Sequence, residues 1–157
     1  MKAYLQKLRQ CAGHMPILVC GASVIVENER GEILLHLRSD NHCWAYPGGT
    51  VDIDEEVEDA ARRELKEETG IQAGALQLFG VFSGRDMRHV YPNGDEISNV
   101  DIVYLCRDYA GEAVPDDAES NEVRFFPWQR LPENISPPCV RALKQYAVMR
   151  KGETVCL

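Results

Sequence analysis

GTVDIDEEVEDAARRELKEETGI, residues 49–71, reads as a loop, a helix of about four turns and a glycine stop. Asp54 is the expected N-cap, Glu55 and Glu56 place negative charge on the first turn where the helix dipole favours it, and Gly70 supplies the left-handed residue that ends the run. The far end is less ordinary. Glu64, Glu67 and Glu68 crowd the last turn, where each carboxylate meets the negative pole of the dipole at a cost of about 0.3–1 kcal/mol and repels its neighbours at i,i+3 and i,i+4. Something positive is expected there. At about 100° per residue, Val57, Ala60, Ala61 and Leu65 mark one apolar arc, with Glu55, Asp59, Arg62 and Lys66 on the opposite, solvated face. Glu64 and Glu68 lie inside the apolar arc and Glu67 at its edge. Carboxylates turned toward the protein body must be neutralised, hydrogen-bonded or bound to a metal. Three hard oxygen donors within one turn suit Mg²⁺ or Mn²⁺.

These residues resemble the box of the Nudix hydrolases, written G-x5-E-x7-R-E-U-x-E-E-x-G-U with U aliphatic. Every fixed position is present: Gly49, Glu55, Arg63, Glu64, Leu65, Glu67, Glu68, Gly70 and Ile71. WAYPGG, Trp44 to Gly49, leads into the box as it does in family members. The resemblance implies an α/β class protein, an α/β/α sandwich with a mixed β-sheet whose box helix presents divalent cations to a diphosphate. It implies further that the Gly49 carbonyl joins Glu64, Glu67 and Glu68 in the metal shell, and that Glu55 and Arg63 have a structural role. Spacing gives Arg63 the same orienting part, since it lies four residues before Glu67 and within reach of Glu55 or Asp59.

With 157 residues, 45% hydrophobic and 27% charged, the chain is expected to form one domain over 1–157 around a single core. A net charge of -8 argues against non-specific binding to nucleic acid or an anionic membrane surface. No apolar run approaches the roughly 18 residues of a membrane span, and MKAYLQKLRQ is too polar for a secretory leader. The cysteines Cys11, Cys20, Cys43, Cys106, Cys139 and Cys156 form no C-x-x-C pair and read as reduced thiols of a cytoplasmic protein. His14, His36, His42 and His89 are scattered, without zinc-ligand spacing.

A short helix is expected over 2–11, with Tyr4, Leu5, Leu8 and Cys11 on one side, packed on the domain or on a second subunit. Ile17 to Glu27 reads as a strand buried on both faces, with Gly21 marking a bulge or a close backbone approach. Asn28 to Gly31 then turns the chain into a second strand, Glu32 to Arg38, so the two read as a hairpin. Further strands are expected at Leu76 to Phe82 and Glu122 to Phe126. Between them a hairpin is expected, with arms Met87 to Tyr91 and Glu96 to Cys106 and a tip of Pro92 to Asp95. Cys139 to Arg150 reads as an amphipathic helix burying Val140, Leu143 and Ala147. Trp44 and Tyr46 read as packing residues rather than a base-stacking platform.

Breaking a diphosphate needs charge neutralisation, an activated water and in-line positioning. The box helix offers Glu64, Glu67 and Glu68 as ligands. Glu67 or Glu68 could also take the proton, while the family resemblance implies a glutamate from a loop after the box, for which DDAESNE offers Glu119 first and Glu122 second. Arg38 is either a solvated strand-end cation or a phosphate contact. Arg85, Arg88, His89 and Tyr91 are either exposed hairpin side chains or donors to an anionic substrate. The expected activity is metal-dependent cleavage of the pyrophosphate of a nucleoside diphosphate linked to another group, for example ADP-ribose, a nucleotide sugar or a (d)NTP. The partner is then a small molecule, and the family suggests a homodimer. Two alternatives share the fold: a non-catalytic nucleotide- or ADP-ribose-binding module, and a prenyl-diphosphate isomerase, which would need a catalytic cysteine such as Cys43 or Cys106.

Overall fold

A computed structural model describes residues 3–90, 93–116 and 120–153. In chain order its elements are α1 (Ala3–Ala12), β1 (Ile17–Val26), β2 (Glu32–Arg38), β3 (Trp44–Ala45), β4 (Gly48–Thr50), α2 (Val57–Thr69), β5 (Gln72–Ala73), β6 (Leu76–Phe82), a 3-10 turn (Arg85–Met87), β7 (Arg88–Val90), β8 (Glu96–Cys106), β9 (Tyr109–Ala110), β10 (Ser120–Pro127) and α3 (Pro137–Glu153). The main sheet runs β4-β1-β8-β6, with β7 also paired to β8. β1 and β8 are parallel from Ile17↔Ile97 to Val26↔Cys106, whereas the β1–β4, β6–β8 and β7–β8 pairs are antiparallel, so the sheet is mixed. A second, antiparallel sheet is ordered β10-β2-β3, and β5 pairs with β9.

Alternation along the two central strands sorts the core into two layers. Ala22, Val24 and Val26 of β1 and Tyr104 and Cys106 of β8 pack with Ala60, Ala61 and Leu65 of α2. Ile25, Val103 and Leu105 point the other way and pack with Ala142, Leu143 and Tyr146 of α3. Helices therefore cover both faces of the β structure, as the sandwich expectation has it. Each fully buried aliphatic side chain contributes about 1.5–3 kcal/mol to this arrangement.

Several local expectations are corrected. Asp54 does not cap the helix: its φ is 63°, in the left-handed region that Asp tolerates. The cap position falls to Glu56, in extended conformation without a side-chain cap bond, and the acids of the first turn are Glu58 and Asp59. Glu55 has been drawn off to other partners, as shown below. Gly70 does end the helix, at φ 75°, donating its N–H to the Lys66 carbonyl.

The β1–β2 hairpin survives only at its turn, where Glu27 bridges Ile33 and the Gly31 N–H donates to the Asn28 carbonyl at 2.8 Å. Beyond it the strands part into different sheets, because β8 and β4 have taken both edges of β1. β1 is buried on both faces only from Gly21 onward; Leu18 and Cys20 are exposed. Gly21 sits in unbroken register, so it is no bulge. A Cβ there would stand 3.1 Å from Asn99 Oδ1 and 3.3 Å from Asp101 Oδ1.

In α1, Leu5 and Leu8 are half-buried but Tyr4 and Cys11 are exposed. Arg9 fastens the helix to the domain, reaching the Glu96 carbonyl at 2.9 Å and Asp95 at 3.6 Å. α3 starts earlier than expected, and its buried side is Cys139, Ala142, Leu143 and Tyr146. Leu143 was expected there, while Val140 and Ala147 are only half-buried.

Candidate active site

β4 is the glycine pair of the box lead-in. Its register against β1, Ala22↔Gly49 and Ser23↔Gly48, brings it under the last turns of α2. Neither glycine has room for a side chain. A Cβ at Gly49 would lie 2.5 Å from Glu64 Cδ, and one at Gly48 2.2 Å from Ser23 Oγ. The Gly48 N–H donates to Glu68 Oε2 at 2.8 Å. Glu64 and Glu68 are thus pressed against main chain, with only 5% and 4% of their surface exposed.

Arg63 organises the acids. Its Nε and Nη2 fork onto the two oxygens of Glu55 at 2.7 and 2.8 Å, while Nη1 donates to Glu64 Oε1 at 2.6 Å and Glu67 Oε2 at 3.2 Å. Nη2 also reaches the Thr50 carbonyl at 3.3 Å. The Glu55 bond above all, then Glu64, raises the Arg63 pKa further above its ordinary value. Arg63 thus contacts Glu55 and Glu67, both within its reach by spacing, while Asp59 turns to Arg62 instead, at 4.0 Å. Part of the positive charge that the acidic turn calls for therefore comes from within the chain.

The donor set suits a hard divalent ion: two buried carboxylates one turn apart, a third on the rim, and the main chain of Gly49 packed against Glu64. As placed, among the described residues no three His, Cys, Asp or Glu side chains are gathered around one point. Arg63 holds Glu64 and Glu67, and the Gly48 amide holds Glu68.

His36 adjoins this group from β2. Its ring is 1% exposed, Nδ1 lies 2.7 Å from Ser120 Oγ, and Nε2 stands 3.7 Å from Glu68 Oε2 with no hydrogen-bond partner among the described residues. Burial lowers its pKa to about 4.

A cavity of about 250 Å³ opens beside the glycines on the α3 side of the sheet, floored by Gly21, Ser23, Asn99 and Asp101 and walled by Tyr46 and Cys139. Asp101 accepts hydrogen bonds from Ser23 Oγ at 2.8 Å and Tyr46 Oη at 3.1 Å. Burial raises its pKa above the ordinary 3.8, against the pull of those two bonds. Burial likewise raises the Cys139 thiol to about 12, so it stays protonated. A carboxyl with a raised folded-state pKa adds stability below its unfolded pKa, and that contribution is lost as pH rises through the folded value. Asp101→Asn removes this slope and sets an NH2 group against one donor. Its stability deficit in urea titrations is expected to be widest near pH 4 and to narrow toward pH 8; a deficit independent of pH would refute the buried-carboxyl account.

The structure brings Gly49, Glu55, Arg63, Glu64, Glu67 and Glu68 into one contact network. Arg38 is on the cavity wall, forked onto Asp40 at 2.9 and 2.7 Å. Arg85 is exposed and Arg88 is paired with Glu96; neither lines the cavity, whereas His89 does. Tyr91 and Glu119 lie outside the described residues. Glu122 is exposed on β10, 3.5 Å from Arg124. Trp44 packs edge-on to Phe126 with centroids 4.8 Å apart, a packing role as expected. Of the cysteines considered for isomerase chemistry, Cys106 is buried in the α2-side core and Cys43 turns to the Asn41 carbonyl; neither lines the cavity. Sequence reasoning missed Ser23, Asn99, Asp101, His36 and Ser120. The available signal was a polar residue inside an otherwise apolar strand, as in ILVCGASVIV, EILLHLR and NVDIVYLC.

The sequence model of the NUDIX domain matches residues 18–146. Among similar proteins, an ADP-ribose pyrophosphatase of Methanocaldococcus jannaschii is 38% identical over 131 residues, covering 82% of this chain and 72% of that protein. A putative 8-oxo-dGTP diphosphatase of Bacillus subtilis is 33% identical over 129 residues, covering 80% and 78%. The crystal structure of a MutT NUDIX hydrolase from Burkholderia pseudomallei superposes with a TM-score of 0.71 at 30% identity, covering 82% of this chain and 98% of that one.

Proposed function

This chain belongs to the NUDIX domain family, and on that premise we propose that it is a divalent-metal-dependent pyrophosphohydrolase. Its substrate is a nucleoside diphosphate linked to a further group. The observation that carries this reading is the burial of Glu64 and Glu68 against the Gly48–Gly49 main chain, an arrangement that a folded protein tolerates only with compensating charge.

When bound, Mg²⁺ or Mn²⁺ neutralises the diphosphate oxygens and makes water a better nucleophile. Glu64, Glu67, Glu68 and the Gly49 carbonyl would hold the ions. Arg63 fixes the directions of Glu64 and Glu67 and is itself fixed by the Glu55 fork. The Gly48 N–H sets the rotamer of Glu68. The water proton passes to a carboxylate, Glu67 or Glu68 of the helix or Glu119 of the following loop. The adjoining cavity takes the nucleoside end, with Asn99 and Asp101 on its floor. At about 250 Å³ it is small for a ligand site and suits one base or sugar rather than a whole dinucleotide. Arg38 at its wall is the cation assigned to the phosphates, and Arg85, Arg88 and Tyr91 are further candidates on sequence grounds. The two relatives' names, ADP-ribose pyrophosphatase and 8-oxo-dGTP diphosphatase, both denote a nucleoside carrying a phosphoanhydride, which supports this substrate class. No helix of the described residues is long and apolar enough to cross a membrane, and the reading extends to a cytoplasmic enzyme acting as a homodimer.

The test is a substrate panel with Mg²⁺ or Mn²⁺: ADP-ribose, nucleotide sugars, dinucleoside polyphosphates, NADH, dNTPs and 8-oxo-dGTP. A 5′-triphosphorylated RNA oligonucleotide checks the expectation, drawn from the net charge of -8, that nucleic acid is not bound non-specifically. Ion-dependent release of two phosphate-bearing products from at least one compound is expected. Binding without turnover would favour the non-catalytic module, and no ion-dependent product from any compound would end the hydrolase reading.

A further inference from the structure

We propose that His36 is a positioning residue for Glu68. Its Nε2–H is a second hydrogen-bond donor to the Glu68 carboxylate, and through Nδ1 and the Ser120 hydroxyl it ties that carboxylate to the first residue of β10. The inference rests on the reading of Glu68 as an ion ligand.

The backbone at His36 is fixed on both sides, paired to Val123 of β10 and to Ala45 of β3. The side chain is 1% exposed in a strand whose neighbours Leu34 and Leu35 are fully buried. An aliphatic residue would fill such a position, so the imidazole requires a polar reason. One nitrogen has its reason in Ser120 Oγ, 2.7 Å away, and Ser120 is itself fully buried with its N–H donating to the Asp116 carbonyl at 2.8 Å. The other nitrogen has no hydrogen-bond partner among the described residues, and it faces Glu68 Oε2 at 3.7 Å. A carboxylate only accepts, so the nitrogen turned toward it is the one that carries the hydrogen. Nδ1 is then bare and accepts from the Ser120 hydroxyl. Donors and acceptors match along the whole chain from Ser120 O–H to Nδ1, and from Nε2–H to Glu68.

The gap to Glu68 exceeds an ordinary N–H···O distance by about 0.5 Å. A glutamate closes such a gap cheaply, because its last torsion is broad and without steep wells. Oε2 already accepts from the Gly48 N–H, and a carboxylate oxygen can accept from a second donor. With both donors engaged, Oε2 is held from two directions, which fixes the plane of the carboxylate. Histidine–carboxylate pairs behind a ligand orient it in this way. Because the same ring touches Ser120, the start of β10 and the aim of Glu68 are linked.

The 157-residue protein is compared with His36→Leu, His36→Gln and Ser120→Ala for Mn²⁺ affinity by titration calorimetry, and long-range ¹⁵N–¹H spectra report the His36 tautomer. Mn²⁺ affinity is expected to fall ~10–100-fold in His36→Leu and to recover most of that loss in His36→Gln, whose amide nitrogen stands where Nε2 does. The spectra are expected to show the Nε2–H tautomer, with the Nδ1 resonance displaced in Ser120→Ala. A folded Leu variant that binds Mn²⁺ like wild type overturns the proposal, as does an Nδ1–H tautomer. Should the Leu variant not fold, a Gln variant that loses affinity by the same ~10–100-fold overturns it equally. If wild type binds no Mn²⁺, the ion site of the proposed function fails, and the tautomer spectrum then decides the His36–Glu68 hydrogen bond alone.

Discussion

Glu68→Gln is expected to lower kcat by ~10²–10³-fold, about 3–4 kcal/mol of lost transition-state stabilisation, while the protein stays folded. Glutamine has the shape of glutamate and keeps an oxygen for the Gly48 N–H, which now holds Oε2 at 2.8 Å. What it lacks is the negative charge, and on the proposed mechanism that charge is what seats the ion. Ion-free stability is expected to hold or rise, because the variant no longer buries a carboxylate charge that is only 4% exposed. Opposite movements of turnover and stability separate a functional carboxylate from a structural one. Steady-state kinetics on whichever panel compound is cleaved, with urea titrations in EDTA, measure both. Equal turnover by variant and wild type would remove Glu68 from the site.

The same residue shows what a sequence makes legible. The 3.6-residue period put Glu64 and Glu68 on the buried arc of α2, and both are buried; periodicity within one helix depends on nothing outside it. Gly70 could be read for the same reason, since a left-handed stop is a local event. Asp54 could not. Its capping rule is local too, but Arg63, eight residues on, draws Glu55 back with a two-bond fork, and the loop bends through Asp54 at φ 63° to allow it. The β1–β2 pair failed on longer range. The Asn28–Gly31 turn is where it was expected, yet which strand sits beside β1 was decided by residues 97–106.

Cavity residues were harder still. Ser23 and Asp101 are separated by 78 positions and meet only because β1 and β8 run parallel in one register. Each alone looks like a polar interruption of an apolar strand. Their meaning lies in the pairing, which a single sequence does not display. The acids of the box carry the opposite lesson: their placement was readable because three of them share one helical turn.

That crowding makes Arg63 the second decisive position. In Arg63→Met, ion-free stability is expected to fall by about 2–4 kcal/mol, the low side of what breaking a buried pair costs, since the Arg63 side chain is 25% exposed. Methionine fills much of the same volume, so packing loss is small and the change is mainly electrostatic. Glu55 loses a two-bond fork, and Glu64, with a side chain only 7% exposed, loses its 2.6 Å contact to a cation. Arg63→Lys should fall between, because a single ammonium cannot span Glu55, Glu64 and Glu67 as the planar guanidinium does. Mg²⁺ or Mn²⁺ then distinguishes the two explanations of the acidic turn. If the carboxylates form an ion site, added cation replaces the missing charge and stabilises the Met variant more than wild type, where Arg63 already neutralises part of it. If they are merely an arginine-stapled helix end, the deficit in urea titrations stays the same with and without the ion, and the metal site assigned to Glu64 and Glu67 is lost.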